Sequence, residues 1–225
     1  MSERVPATLE AAIRSDLQPV RRLPSPLLRT VWLAPLALVT LIAASRMFSF
    51  RMDADALGWT MTWAISVVQT VLALALIGLA LRDAIPGRSL ATPLVLLVSL
   101  AALGFTTAIT LRTWSVSPTT IQSLSPVWVG EICFTGMMVS ALPLLVAAAI
   151  LARRAFTVRP WSSGALYGLG AGIGADAGWR LFCHFSDPVH VFPTHTGAVI
   201  ATMGLGVIVA IVAQRVSAAR RFRTR

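Results

Sequence analysis

The sequence contains no lysine, so all 19 positive charges are arginine. Charge of either sign is scarce, at 12% of the 225 residues, against 56% hydrophobic residues. With a mean hydropathy of +0.76, that balance excludes an ordinary soluble domain, in which about a quarter of residues are charged. Cysteine is nearly missing as well. Two thiols, Cys133 and Cys183, are too few for a disulfide scaffold or a four-thiolate zinc site. The chain also lacks a phosphate-binding glycine loop, a haem-attachment motif and a nucleophile–base–carboxylate set, which argues against an enzyme. It shows none of the internal repetition common in transporters.

What it does contain is six apolar runs: Val31 to Met47, Trp59 to Leu81, Leu90 to Leu111, Val127 to Leu151, Trp161 to Phe182 and Pro193 to Ala213. A spanning helix needs about 20 mostly apolar residues, and the first run reaches that length only if Leu27 and Leu28 join it. Each run is expected to be helical, because a segment in lipid must satisfy its own backbone. The expected fold is all-α: a polytopic membrane protein built as a six-transmembrane-helix bundle. A cleaved signal peptide is not expected, since the basic region before the first run is too long and five more runs follow it.

The arginines set the orientation. Arg4, Arg14, Arg21, Arg22 and Arg29 precede the first run; Arg82 and Arg88 follow the second; Arg153, Arg154 and Arg159 follow the fourth; Arg215, Arg220, Arg221, Arg223 and Arg225 close the chain. Those fifteen fall on one side, and only Arg46, Arg51, Arg112 and Arg180 on the other. Such a bias predicts cytoplasmic termini and explains the net charge of +10 without nucleic acid. The chain then divides into a cytoplasmic segment 1–29, a membrane domain 30–214 and a basic tail 215–225.

Within the first segment Leu9, Ile13 and Leu17 recur every four residues, with Arg14 elsewhere on the wheel, Pro6 suited to a first turn and Pro19 to a stop. That pattern predicts a short amphipathic helix, marginal alone. Its stripe needs either a groove on a partner protein or the lipid surface. The fifth run has a different character. Gly164, Gly168 and Gly172 make one ridge and Gly170, Gly174 and Gly178 another, which predicts a central, closely packed helix.

The chemistry-bearing residues gather on the opposite side from most arginines. Cys133 falls in the outer half of the fourth run and Cys183 at the outer end of the fifth, both facing the oxidising side, where a disulfide persists. Three readings stand open: a structural disulfide or inert thiols; a reversible redox switch; and a metal site drawing on Cys133, Cys183, His184, His190 and His195. Thiolate and imidazole suit zinc or copper, yet C-H-x5-H-x4-H matches no compact ligand motif. Asp176, Arg180 and Cys183 share one helical face. Asp176 and Arg180 either neutralise each other, or Arg180 acidifies the thiol. A polar pair inside a span is a site candidate by default.

The leader P-V-R-R-L-P-x-P (Pro19 to Pro26), six spans, a cysteine opening the fourth and L-x-C-x(11)-H after the fifth (Leu181, Cys183, His195) resemble the NrsF-like negative regulators of sigma F. The resemblance covers essentially the whole chain. It implies a membrane anti-sigma factor of the bacterial inner membrane. Such a protein holds an extracytoplasmic-function sigma factor and releases it under oxidative or heavy-metal stress. By the same resemblance Cys133 and Cys183 are the sensing cysteines, His195 the loop histidine and Arg22-Leu23-Pro24 the leader motif. His184 and Thr194 depart from the family pattern of proline and an aromatic at those places. The implied partners are the sigma factor, gripped by Leu9, Ile13, Leu17, Arg14, Arg21 and Arg22, and membrane lipid; a homo-oligomer is compatible with this, and direct nucleic-acid contact is not expected. No resident cofactor is implied, with zinc, copper or another heavy metal entering as signal. The alternative is a small membrane transporter, or a metal- or quinone-linked redox membrane protein, working through Asp176 and the histidine loop.

Overall fold

The computed structural model describes residues 6–16, 23–117, 127–155 and 157–223, and every regular element among them is helical. In chain order these are α1 (Ala7–Asp16), α2 (Pro26–Val31), α3 (Ala34–Met47) and α4 (Ala54–Trp59), then α5 (Ile65–Asp83), α6 (Thr92–Val116), α7 (Val127–Arg153) and α8 (Pro160–Trp179), and finally α9 (Pro188–Val191) and α10 (Gly197–Arg223). Two widened π turns, Thr60–Ala64 and Phe192–Thr196, join α4 to α5 and α9 to α10.

Five stretches are long and apolar enough to cross a membrane: Pro26–Ala43, Ala54–Asp83, Thr92–Val116, Val127–Arg153 and Pro188–Ser217. The first begins earlier than the apolar run alone suggests. Ser25 accepts a hydrogen bond from the Leu28 N–H at 3.2 Å and Pro26 occupies the first turn, so a cap starts the helix upstream of Val31. The others likewise extend past their apolar centres into polar flanks.

The expected fifth span, α8, differs from those five. Its glycines dilute its hydropathy, and every residue from Ser162 to Trp179 is buried by the surrounding helices. Both glycine ridges are used. Gly164, Gly168 and Gly172 lie against Gly206, Thr202 and Val199 of α10, while Gly170 meets Ala73 and Ile77 of α5 and Gly178 the backbone of Thr40 and Leu41 in α3. A β-carbon on Gly168 would sit 2.5 Å from the Thr202 carbonyl oxygen and 2.9 Å from the Met203 Cα, whereas one on Gly204 would meet nothing within 4 Å. Backbone cannot swing aside as a flexible side chain can. Gly168→Ala is therefore expected to cost at least the about 1–3 kcal/mol typical of overpacking, and Gly204→Ala to be neutral. Thermal unfolding of the two variants in detergent checks this.

The bundle has two polar ends of different design. At one, buried Asp83 accepts hydrogen bonds from the Leu90 N–H (2.7 Å) and the Ser162 hydroxyl (2.6 Å). There Arg159 donates to the Leu90 carbonyl and to Thr92, Arg29 donates to the Leu151 carbonyl, and Gln214 to the Thr157 carbonyl. The start of α2, the α5–α6 and α7–α8 connections and the later part of α10 thus share one end, the grouping that the arginines mark. At the other end lie the α3–α4 connection, the end of α6, the start of α7 and the segment after α8.

Candidate functional site

At that second end, Cys133 in the second turn of α7 and Cys183 just past α8 bring their sulfurs to 3.9 Å. Both are free thiols and both are buried. Position 183 is held by a last helical turn, the Cys183 N–H donating to the Trp179 carbonyl at 2.8 Å. Trp179 is itself wedged against α7, its indole N–H donating to Ser140 Oγ at 3.0 Å. Gly136 leaves the space that its ring occupies.

Two histidines complete the cluster. His190 Nε2 lies 3.5 Å from Cys183 Sγ. One ligand atom from each of Cys133, Cys183, His190 and His195 can be taken so that all lie within 4.8 Å of one another, and all four residues are buried. The widened turn explains how residues five apart converge. In a regular α-helix positions 190 and 195 would point about 140° apart, but a π turn closes on the fifth residue and brings them onto one face. The Gly197 N–H bonds the Phe192 carbonyl in this i+5 pattern. Pro193, with no N–H to give, favours the irregularity.

Asp176 supports the cluster from below. Its Oδ1 is 2.8 Å from His195 Nδ1, and its Oδ2 accepts from Gln69 Nε2 (2.7 Å) and Arg180 Nε (2.8 Å). Arg180 goes on to donate to Thr110 Oγ1 at 2.8 Å. An ionised carboxylate only accepts, so a His195 proton sits on Nδ1, and Nε2 is left as the atom that a lone pair would occupy in the neutral tautomer. That Nε2 is buried without a hydrogen-bond partner. Of the two roles open to Arg180, the geometry favours pairing with Asp176. The thiol's own neighbours are Cys133, His190, His195 and the Phe185 carbonyl. The hydrogen bond from Cys133 is the main influence holding the Cys183 thiol below its ordinary pKa, with His190 assisting and burial opposing.

A third layer closes the end of the bundle. Arg51 forms a two-pronged pair with Asp53 (Nε–Oδ1 2.6 Å, Nη2–Oδ2 2.8 Å). It also donates to the Arg180 carbonyl (3.0 Å) and Ser186 Oγ (3.1 Å), while its backbone N–H bonds the Leu181 carbonyl at 2.9 Å. Ser117 Oγ donates to Asp53 Oδ2 at 3.0 Å. The segment carrying Cys183 is thus tied to the α3–α4 connection. A small cavity of about 10 Å³ is lined by Arg51, Thr110, Arg180, Cys183, Phe185 and His195.

The structure separates the sequence candidates. Cys133, Cys183, His190, His195, Asp176 and Arg180 come together. His184 does not join them: its ring packs on Phe185, centroids 4.4 Å apart. Gln69, Thr110, Arg51 and Asp53 take part although no motif marks them. A lone glutamine in the apolar run Val-Val-Gln-Thr-Val was the one available signal, because a buried amide demands a partner. The helix α1 is exposed along its described side chains. Leu9 is 52% exposed and Arg14 pairs with Glu10 at 2.9 Å. The Ile13 side chain, Leu17, Pro19, Arg21 and Arg22 lie outside the described residues. A groove of about 430 Å³ between α7, α8 and α10, under Arg153, Arg154 and Gln214, is larger than the cavity at Cys183 but holds no comparable set of thiol or imidazole groups among the described residues.

Compared with known proteins, a family model described as negative regulator of sigma F matches residues 14–215. No curated protein and no solved structure gives a match.

Proposed function

The chain belongs to the NrsF family, negative regulators of sigma F, and from that premise we propose that it is a six-span anti-sigma factor of the bacterial inner membrane with both termini in the cytoplasm. It holds an extracytoplasmic-function sigma factor there and releases it when Cys133 and Cys183 react on the periplasmic side. The observation that carries this reading is the 3.9 Å approach of two buried thiols at the end of the bundle opposite the arginine-rich segments.

The thiols belong to different elements, so their chemistry changes how those elements pack. An oxidant that accepts two electrons and two protons leaves an S–S bond of about 2.0 Å. Closing the gap brings the two sulfurs about 2 Å nearer and ties the start of α7 to the segment after α8 by a covalent bond. A heavy-metal ion that takes both sulfurs as ligands instead locks them near their present spacing. Either event favours one packing state over another, as a signal requires. α8 is suited to transmit the change, since it touches α3, α5, α7 and α10 along its length and is buried from Ser162 to Trp179. At the far end, the Leu9, Ile13 and Leu17 stripe with Arg14, Arg21 and Arg22 grips the sigma factor as a helix in a groove.

A mild-detergent pull-down of tagged protein from unstressed native membranes tests the reading. A sigma factor is expected to co-purify, and to be lost when residues 1–29 are removed. Intact, abundant protein with no sigma factor attached would overturn it.

A further inference from the structure

We infer that Cys133, Cys183, His190 and His195 form a four-donor site for a thiophilic d10 cation of the Zn²⁺ and Cd²⁺ class, with Asp176 as the carboxylate that orients His195. This rests on the sensor reading for its biological role and on geometry for its ligand. A tetrahedral Zn²⁺ with Zn–S bonds of about 2.3 Å and Zn–N bonds of about 2.0 Å requires sulfurs about 3.8 Å apart and sulfur–nitrogen separations of about 3.5 Å. The structure has 3.9 Å between the sulfurs and 3.5 Å between Cys183 Sγ and His190 Nε2. Those two separations match edges of a coordination tetrahedron, the four ligand atoms lie within 4.8 Å of one another, and the sulfur–sulfur separation is nearly twice the length of a disulfide bond.

Three further observations point the same way. His195 Nε2 is buried without a hydrogen-bond partner, a costly state for a polar atom unless something is meant to occupy the space before it, and in the neutral tautomer it offers a lone pair there. Its Nδ1 is anchored on Asp176 at 2.8 Å, the carboxylate–histidine arrangement that fixes a ligand's tautomer and raises its basicity. The charges also balance. Two thiolates formed by loss of their protons, two neutral imidazoles and a divalent cation sum to zero, so the filled site suits a buried position. Two sulfurs and two nitrogens in a tetrahedron select zinc-like ions over magnesium or calcium. His184, the histidine adjacent to Cys183, takes no part.

The test is Co²⁺ titration of the reduced, full-length protein in detergent, read as thiolate-to-cobalt charge transfer and tetrahedral d–d absorption, followed by displacement with Zn²⁺ and with Cd²⁺. One equivalent with a tetrahedral spectrum is expected. Cys133→Ser, Cys183→Ser, His190→Ala and His195→Ala should each weaken binding at least tenfold, and His184→Ala should bind as the unmodified protein does. Asp176→Asn should keep the tetrahedral spectrum while weakening affinity about ten- to a hundredfold. A merely structural Asp176 would lower the folded fraction without changing the affinity of the molecules that remain folded. An octahedral spectrum, or unchanged affinity in the His190→Ala/His195→Ala double variant, would overturn the site. Tight four-donor binding alongside an unaltered stress response in the cysteine variants would instead sink the sensor reading and leave the metal site standing.

Discussion

With Cys133 and Cys183 both replaced by serine, stress-induced release of the sigma factor is expected to vanish while its retention in unstressed cells is unchanged. Serine differs from cysteine by one atom, so the two buried positions, 1% and 5% exposed, keep their packing and much of their local hydrogen bonding. What disappears is sulfur chemistry. A hydroxyl forms no disulfide and is a poor ligand for a soft cation. The single variants should differ from each other. Cys183 is the thiol held at lower pKa by its neighbours, so Cys183→Ser removes the better nucleophile. Cys133→Ser leaves that nucleophile in place, able to reach a reversible sulfenic acid but with no second thiol to resolve it. A sigma-dependent transcriptional reporter, read with and without oxidant and metal, checks the series. Full induction in the double variant would end the thiol-sensor reading. A raised basal signal would show that the substitutions had disturbed sigma binding itself.

Arg51→Ala is expected to be the most destabilising single change at the cysteine end, at about 3–5 kcal/mol. The Arg51 and Asp53 side chains are 3% and 0% exposed, and the pair is bidentate, the strong form of a charge-assisted contact. Removing the guanidinium strands a buried carboxylate with Ser117 as its remaining side-chain donor in the network described above. It also releases the Arg180 carbonyl and Ser186. The loss is local to the segment that carries Cys183, so the variant should also react faster with a maleimide at that thiol. Because most of the penalty is the uncompensated charge, Arg51→Ala/Asp53→Ala should be less damaging than the two single effects added together. Thermal unfolding in detergent and timed thiol labelling measure both consequences. Additive losses would mean that the two residues do not act as a pair.

Some of this was written in the chain itself. Apolar runs long enough to cross a membrane fix the helices, because lipid offers the backbone no other partner. The two glycine ridges likewise announce the close-packed α8, since only absent side chains let backbones approach so nearly. The spacing of Asp176, Arg180 and Cys183 puts them on one face of a helix by period alone. The family was legible for the same reason: its model matches an ordered string over residues 14–215.

Other features depended on how the helices meet. Residues 133 and 183 lie far apart in sequence, and no spacing rule could place their sulfurs 3.9 Å apart; the packing of Trp179 against Gly136 and Ser140 does that. His190 and His195 look mismatched under an α-helical period and match only because the chain widens into a π turn between them. Which histidine stands outside was also invisible, since His184 is nearest to Cys183 in sequence yet turns onto Phe185. Gln69 and Arg51 find their partners across 107 and 129 positions. The sequence determined the helices and the inventory of donors, because both follow from local periodicity and solvent. Tertiary packing alone decided which donors converge, because convergence depends on the crossing of helices that are distant in the chain.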